Sequence, residues 1–163
     1  MTTRNKTSLL NAQCALSALS IGSWAELSDA ARLVRTEVFI KEQGIPEAEE
    51  WDDLDALCTH VVAYNSQGEP IATARLLPSQ KGTAKIGRMA VLLAWRGQGL
   101  GAFMLQRLLQ TAQLRGDKEA LLHAQSQAQG FYAAQGFEAR GDVFDEVGMP
   151  HIVMHRPLGL KCK

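Results

Sequence analysis

The chain has 163 residues, of which 46% are hydrophobic and 21% are charged. Its 17 lysines and arginines balance its 17 aspartates and glutamates, so the formal net charge is zero. This composition predicts a single folded domain and excludes a disordered chain. It lacks the basic excess of a general nucleic-acid binder, and no apolar run is long enough to span a bilayer.

We predict that residues 1–20 form a flexible lead-in and that residues 21–163 form one domain. Polar side chains interrupt the apolar stretch of the lead-in and no cleavage site follows it, so it differs from a signal peptide. The three cysteines, Cys14, Cys58 and Cys162, are widely spaced and indicate neither a disulfide framework nor a zinc site. Free thiols are typical of a reducing compartment. We therefore expect a cytoplasmic protein without a metal.

A first strand is predicted over residues 21–26. Ser28 can cap the helix that follows, because its hydroxyl can accept a hydrogen bond from the first turn. The helical stripe consists of Leu27, Ala31, Val34 and Val38, spaced by three or four residues. Gly44 and Pro46 end this region.

The next segment, residues 47–55, contains six acidic residues and no lysine or arginine. Such runs are usually solvated, which predicts an exposed loop. The alternative is that its field attracts a cationic ligand.

Three strands are then predicted over residues 57–64, 71–77 and 85–93, joined by turns at 65–69 and 81–83. After this antiparallel meander, the spacing of the apolar residues becomes that of an amphipathic helix, which begins at Leu100 and ends at Gly116. A buried strand over residues 120–124, a helix over 126–134 and two strands over 137–143 and 151–156 complete the chain. The order predicts a mixed α+β fold with one parallel or splayed crossover.

Three alternating glycines, Gly97, Gly99 and Gly101, separate the third meander strand from the long helix. Glycines allow close approach to the backbone, and the start of a helix offers free N–H groups and a positive dipole end. With Arg96 beside them, they indicate a phosphate or pyrophosphate site. The alternative is a strand–helix turn that needs glycine only for packing.

A dinucleotide fingerprint is a second alternative. Gly97, Gly99 and Ala102 match Gly-x-Gly-x-x-Ala, and Asp117 lies 20 residues after Gly97, so an NAD(P)-dependent oxidoreductase remains open. However, the ribose-binding acid of that fold follows the second strand, whereas Asp117 precedes the predicted strand. An antiparallel meander also precedes the loop, where a doubly wound fold has parallel crossovers.

Residues 96–101, Arg-Gly-Gln-Gly-Leu-Gly, resemble the Arg/Gln-x-x-Gly-x-Gly/Ala signature of the GCN5-related N-acetyltransferases. Residues 88–91 look like the strand that leads into it. Residues 125–137 are similar to a second motif of that family, Asn-x-x-Ala-x-x-x-Tyr-x-x-x-Gly-Phe, with Gln125 in place of the asparagine. Residues 35–43, 51–55 and 150–154 resemble the ElaA-like branch of the family.

The resemblance implies a three-layer α/β/α fold with a mostly antiparallel sheet, splayed between its fourth and fifth strands. The pantetheine arm of acetyl-CoA inserts there. The cofactor-binding residues implied are Met89, Ala90, Val91, Arg96, Gly97, Gln98, Gly99, Leu100, Gly101 and Gln125. The implied partner is an amine, either a small molecule, an amino acid or a peptide, with no nucleic acid and no membrane. Homodimers are common in the family.

The resemblance also implies direct acetyl transfer to a neutral amine. Tyr132 holds the position of the family's general acid, and the N–H near Val91 would stabilise the oxyanion. His151 and Glu42 are candidates for the base or the acceptor side; His60 and His123 are weaker ones, and a water relay is an equal alternative. A domain that binds acetyl-CoA as a sensor, without turnover, is the other functional alternative.

Overall fold

A computed structural model of the chain describes residues 18–159. The strands are β1 Ala18–Gly22, β2 Thr59–Tyr64, β3 Pro70–Leu76, β4 Thr83–Val91, β5 Glu119–Gln125, β6 Glu138–Glu146 and β7 Met149–Pro157. The helices are α1 Trp24–Arg35, α2 Glu47–Glu50, α3 Leu100–Leu114 and α4 Gln129–Ala134. The meander, the long helix and the closing strands are confirmed, with ends shifted by a few residues.

All seven strands form one sheet in the order β1-β2-β3-β4-β5-β7-β6. The pair β4–β5 is parallel and its neighbours are antiparallel. The chain reaches β5 from β4 through α3, which is the crossover that a parallel pair requires. The mixed α+β fold with one parallel crossover is therefore confirmed.

Helices cover both faces of the sheet. On β2, Val61 and Ala63 belong to the main core with α3, whereas Val62 packs against Leu27 and Ala31 of α1. All three β2 side chains are fully buried. A strand that is apolar on both faces is typical of the middle layer of an α/β/α structure.

The start of α1 differs from the prediction, because the cap is Ser23 and not Ser28. The Ser23 hydroxyl accepts a hydrogen bond from the Glu26 N–H, and the Glu26 carboxylate accepts one from the Ser23 N–H. This reciprocal capping box starts the helix five residues early and ends β1 at Gly22. Beyond Arg35 the helix continues as a π-helix, Thr36–Glu42.

The exposed loop predicted over residues 47–55 is wrong in part. The segment forms α2 and leads into a 3-10 turn, Asp55–Leu57. Glu50 and Asp55 are buried, while Glu47, Glu49 and Asp53 are exposed. Burial of carboxylates requires partners, which are described below.

The lead-in predicted over residues 1–20 falls mostly outside the described residues, except that Ala18 to Ser20 belong to β1. Cys14 and Cys162 also lie outside them, and Cys58 is buried with a free thiol. Within residues 18–159, every helix is too short or too polar to cross a membrane.

Candidate active site

A cleft opens where β4 and β5 part. The two strands pair over residues 83–86 and 119–122, after which β4 stays paired with β3 and β5 with β7. The cavity between them has a volume of about 450 Å³, which suits a small molecule. Its walls include Gln43, Arg88, Met89, His123, Gln125, Tyr132, Glu146 and His151.

A bulge in β4 shapes one wall of this cleft. Thr73 of β3 faces Ala90 and Arg75 faces Gly87, so β4 contains one residue more than β3 between the two pairs. Arg88 lies in the bulge with a φ of 51°, a conformation that bulky residues rarely adopt. The bulge interrupts the alternation of β4, and the consecutive residues Gly87, Arg88 and Met89 all line the cavity.

The glycine loop connects β4 to α3. Gly97 and Gly99 adopt positive φ values of 78° and 85°, and a β-carbon on Gly97 would meet no atom within 4 Å. Both glycines therefore serve the backbone conformation, and the surface at Gly97 is open. Gly101 has another reason, since a β-carbon there would lie 3.3 Å from the Phe131 ring. The side chain of Leu100 is buried in the core, so Leu100 can contact a ligand through its backbone N–H.

Arg96 lies beside the glycine loop, but its guanidinium already holds a carboxylate. Nη1 and Nη2 donate to the two oxygens of Glu42 at 2.8 and 2.7 Å, and Nε donates to the Val91 carbonyl at 2.8 Å. The hydrogen bond from Arg96 lowers the pKa of Glu42. Any anion bound at the loop must therefore share Arg96 with Glu42.

Tyr132 lies on α4 between the rings of Phe131 and Phe137, whose centroids are 5.0 and 6.0 Å from its own. Its hydroxyl lies 3.7 Å from the Met89 sulfur across the cleft. Burial raises the pKa of Tyr132 to about 12, because the phenolate loses its solvation. The phenol is therefore protonated at neutral pH and faces the gap between β4 and β5.

Gln125 is held by two other amides. Its Nε2 donates to Gln43 at 2.9 Å, and its Oε1 accepts from Gln43 at 3.3 Å and from Gln127 at 2.6 Å. Gln43 follows the π-helical turn, so this pair connects the end of the first helix to β5 across the cleft. Sequence reasoning did not name Gln43 as a site residue, although it ends the segment 35–43 that resembles the ElaA-like branch.

His151 lies on β7 with its ring buried. Nδ1 is 2.8 Å from the Met149 carbonyl, and a ring nitrogen bonded to a carbonyl carries the proton. In the neutral ring Nε2 then has the free lone pair, and it lies 3.7 Å from Glu146. The other Glu146 oxygen lies 3.3 Å from Nδ1 of His123. One carboxylate, missed by sequence reasoning, therefore sits between two imidazoles of the cleft.

Comparison with known proteins identifies the family. A family model described as "Acetyltransferase (GNAT) domain" matches residues 27–158. The chain belongs to the GNAT acetyltransferase family. It is 34% identical over 137 residues to YyaT of Bacillus subtilis, covering 82% of this chain and 90% of that protein. A crystal structure of an acyl-CoA N-acyltransferase from Pseudomonas aeruginosa has a TM-score of 0.76 and 36% identity, covering 85% and 98% of the two chains. Escherichia coli ElaA has a TM-score of 0.76 and 31% identity, with the same coverage.

The resemblance to GNAT proteins, including ElaA, is therefore confirmed. The GNAT family uses acyl-CoA and acts on small-molecule or protein amines. The residues of the site fit an acyl-CoA, because the glycine loop is open and the neighbouring cleft separates β4 from β5. Within residues 18–159, no three His, Cys, Asp or Glu side chains are placed to hold a metal ion.

The structure brings some of the predicted site residues together in the cleft and places others elsewhere. Met89, Gln125, Tyr132 and His151 line one cavity. Glu42 and Arg96 pair with each other beside the loop. His60 is remote from this chemistry, since its ring is buried and bonded to the Asp55 carbonyl. The dinucleotide alternative finds no support in this GNAT sheet, and the carboxylate of Asp117 is bonded to Ser79 and Arg115.

The acids of segment 47–55 contribute to a buried ion-pair network behind the cleft. Three arginines from three elements meet three of these acids: Arg35 of α1, Arg75 of β3, Arg88 of β4, Glu50, Asp52 and Asp55. These three acids are therefore engaged by arginines. Glu47, Glu49 and Asp53 of the same segment stay exposed, so the attraction of a cationic ligand by segment 47–55 stays a prediction.

The arginines lower the pKa of two acids of the network, whereas burial raises the pKa of the third, Glu50. Two hydrogen bonds from Arg75 lower the pKa of Asp52 to about 2. Desolvation opposes ionisation of Asp55, but the hydrogen bonds and charges of Arg35 and Arg75 outweigh it and lower its pKa. The guanidinium of Arg35 also lies 5.5 and 4.8 Å from the rings of Trp24 and Trp51, within reach of a cation–π interaction.

Proposed function

We propose that the chain transfers the acetyl group of acetyl-CoA to the amine of an acceptor bound in the cleft. The observation that carries the proposal is the position of Tyr132, whose hydroxyl faces the gap between β4 and β5 beside Met89. The cosubstrate would supply an activated thioester, and its pyrophosphate would lie at Gly97–Gly101, on the open N–H groups of the loop and α3. Met89, Ala90, Val91 and Gln125 would flank its arm.

Tyr132 is the proposed proton donor to the leaving sulfur. A phenol with a pKa of about 12 keeps its proton at neutral pH. The same dry surroundings raise the basicity of a thiolate, which favours donation at the moment when the sulfur becomes negative. This is general acid assistance, and such a group typically contributes about 10²- to 10⁴-fold in rate.

His151 is the proposed base, in preference to Glu42. The hydrogen bond to Met149 leaves Nε2 as the accepting nitrogen, and the imidazolium formed on taking a proton would lie beside Glu146. Glu42 is less suited, since a bidentate contact with Arg96 lowers its pKa and occupies both oxygens. Glu146 would position and stabilise His151 through this contact.

The first experiment separates the candidate activities. We expect acetyl-CoA and CoA to raise the melting temperature and NAD and NADP to leave it unchanged. We also expect release of free CoA thiol with members of an amine panel. Stabilisation by acetyl-CoA without release would favour a sensor, and stabilisation by NAD(P) alone would overturn the proposal.

Two variants test the roles of Tyr132 and His151. Tyr132→Phe is expected to lower kcat about 10²-fold or more with an unchanged Kd for acetyl-CoA; Tyr64→Phe, the other tyrosine of the chain, is the matched control. His151→Gln is expected to lower kcat most at neutral pH and least at alkaline pH, where the free amine needs no base. His155→Gln, on the same strand, is its control. Full turnover by Tyr132→Phe, or a pH-independent loss in His151→Gln, would contradict these roles.

A further inference from the structure

The two walls of the cleft differ in the hydrogen-bonding groups that they leave open. The wall formed by β5, β6 and β7 presents Glu146 with His123 and His151, which are groups that can accept a proton. The wall formed by β4 presents two cationic side chains, Lys85 and Arg88, with Glu49, Glu50 and Asp52 beside them. A ligand that fills the cleft therefore meets N–H donors on the β4 side that the opposite wall does not offer.

Arg88 has donors that the protein does not use. Its Nη2 donates to the Glu50 carbonyl at 3.1 Å and to Asp52 at 3.3 Å. Its Nε lies 3.3 Å from a Glu50 oxygen, but it is buried and makes no hydrogen bond among the described residues. Nη1 of Arg88 also has no hydrogen-bond partner among the described residues. A buried donor such as Nε is rarely left without a partner, whereas Nη1 is not fully buried and is the nitrogen that a ligand can reach.

The neighbouring acids already accept hydrogen bonds from other arginines. Both oxygens of Asp52 accept from Arg75, and Asp55 accepts from Arg35 and Arg75. Arg75 also leaves its own Nε unpaired in the same wall. Lys85 also lines the cavity, and its ammonium has no carboxylate within 4 Å among the described residues.

The backbone presents Arg88 to the cleft at a cost. A φ of 51° at a non-glycine residue is a strained conformation, and such conformations cluster at functional sites. The side chain is 28% exposed, so it is partly desolvated but can reach a ligand. A planar guanidinium with free N–H groups matches the two oxygens of a carboxylate.

We propose that the acceptor carries a carboxylate as well as its amine, and that Arg88, assisted by Lys85, binds this carboxylate while the amine points to His151 and Glu146. The acceptor class is thus an amino carboxylate, such as a free amino acid. This inference rests on the proposed function, since it names the substrate class of the same cleft. It differs from the cationic acceptor that the acidic run suggested.

The wild-type protein gives the primary test. CoA release is measured with matched pairs of free amino acids and their amides, over several side chains, at equal concentrations of unprotonated amine. We expect kcat/KM to be about tenfold or more higher for the carboxylate of the preferred pair, the typical effect of a charge-assisted hydrogen bond. Equal values, or higher values for the amides, would overturn the inference and leave the proposed function standing.

Variants locate the effect. Arg88→Gln is expected to raise KM for the amino acid about tenfold or more, with KM for the amide and Kd for acetyl-CoA unchanged; Arg88→Lys is expected to restore part of the preference. Arg107→Gln, an exposed arginine on α3, is the matched control. If Arg88→Gln raises both KM values equally, Arg88 has a structural role and the inference is wrong.

A binding measurement covers the case in which no amine releases CoA, which would count against the proposed function. Calorimetric titration of the CoA-loaded wild-type protein with the same pairs then decides the inference. Tighter binding of the carboxylates, lost in Arg88→Gln, supports it. Equal binding of both members, or binding of neither, overturns it.

Discussion

Asp55→Asn is expected to destabilise the protein strongly, because Asp55 lies at the centre of the buried network. Its carboxylate accepts from Arg35 at 2.8 Å and from Arg75 at 2.9 Å, and all three side chains are at most 5% exposed. The amide keeps the shape but leaves three guanidinium groups with two carboxylates. Removing one partner of a buried ion pair costs about 3–5 kcal/mol, a large part of the typical stability of a domain.

Urea unfolding followed by tryptophan fluorescence measures this loss. Trp24 and Trp51 flank Arg35, so the signal reports on the network itself. With an m-value of about 2 kcal/mol/M, the midpoint is expected to fall by about 2 M. Asp53→Asn is the matched control in the same segment; its side chain is exposed, and we expect a change within about 0.5 kcal/mol.

Salt gives a second check on Asp55→Asn. Screening acts on exposed charges and much less on buried ones, so the difference from wild type is expected to persist in 1 M NaCl. If Asp55→Asn and Asp53→Asn unfold at the same urea concentration, or if salt removes the difference, the network contributes no more than a surface ion pair and the reasoning is refuted.

Three further predictions concern pH, the loop and its glycines. The pKa of Asp52 is lowered to about 2 from about 3.9 in an unfolded chain, so the Asp52 carboxylate stabilises the fold above pH 4 and ceases to do so as the pH falls towards 2. The difference in urea midpoint between Asp52→Asn and wild type should therefore shrink over this range. A constant difference would contradict the prediction. Glu42→Gln frees Arg96 and is expected to lower the Kd for CoA at low salt, with a smaller effect in 1 M NaCl. An unchanged Kd would show that Glu42 and CoA do not compete for Arg96. Gly99→Ala, at a φ of 85°, is expected to cost about 1–2 kcal/mol and to weaken CoA binding in calorimetry, whereas Gly130→Ala should do neither.

The sequence predicts the fold well because its signals are local. Short runs rich in apolar and β-branched residues define β2 and β3, and the stripe that includes Met104 and Leu108 defines α3. The glycine spacing marks the strand–helix loop, and the motif around Tyr132 places that residue in the second half of the domain. Each of these features depends on residues within about 15 positions of one another in the chain.

The parts that sequence reasoning missed depend on distant pairs. Arg35 and Asp55 are 20 residues apart, and Gln43 and Gln125 are 82 apart. An acidic run looks solvated until the arginines that face it are known, and these stand singly in otherwise apolar segments. The error at Ser28 has a different cause: both Ser23 and Ser28 can cap a helix, and the reciprocal contact with Glu26 decides between them.

The two walls of the cleft are held in different ways. Ion pairs from Glu50, Asp52 and Asp55 tie one wall to α1, β3 and β4. The opposite wall ends in the β6–β7 turn at Val147 and Gly148, and it meets β5 through Glu146 and His123. The proposed base His151 and its carboxylate partner Glu146 therefore lie on the hairpin that the buried network does not hold.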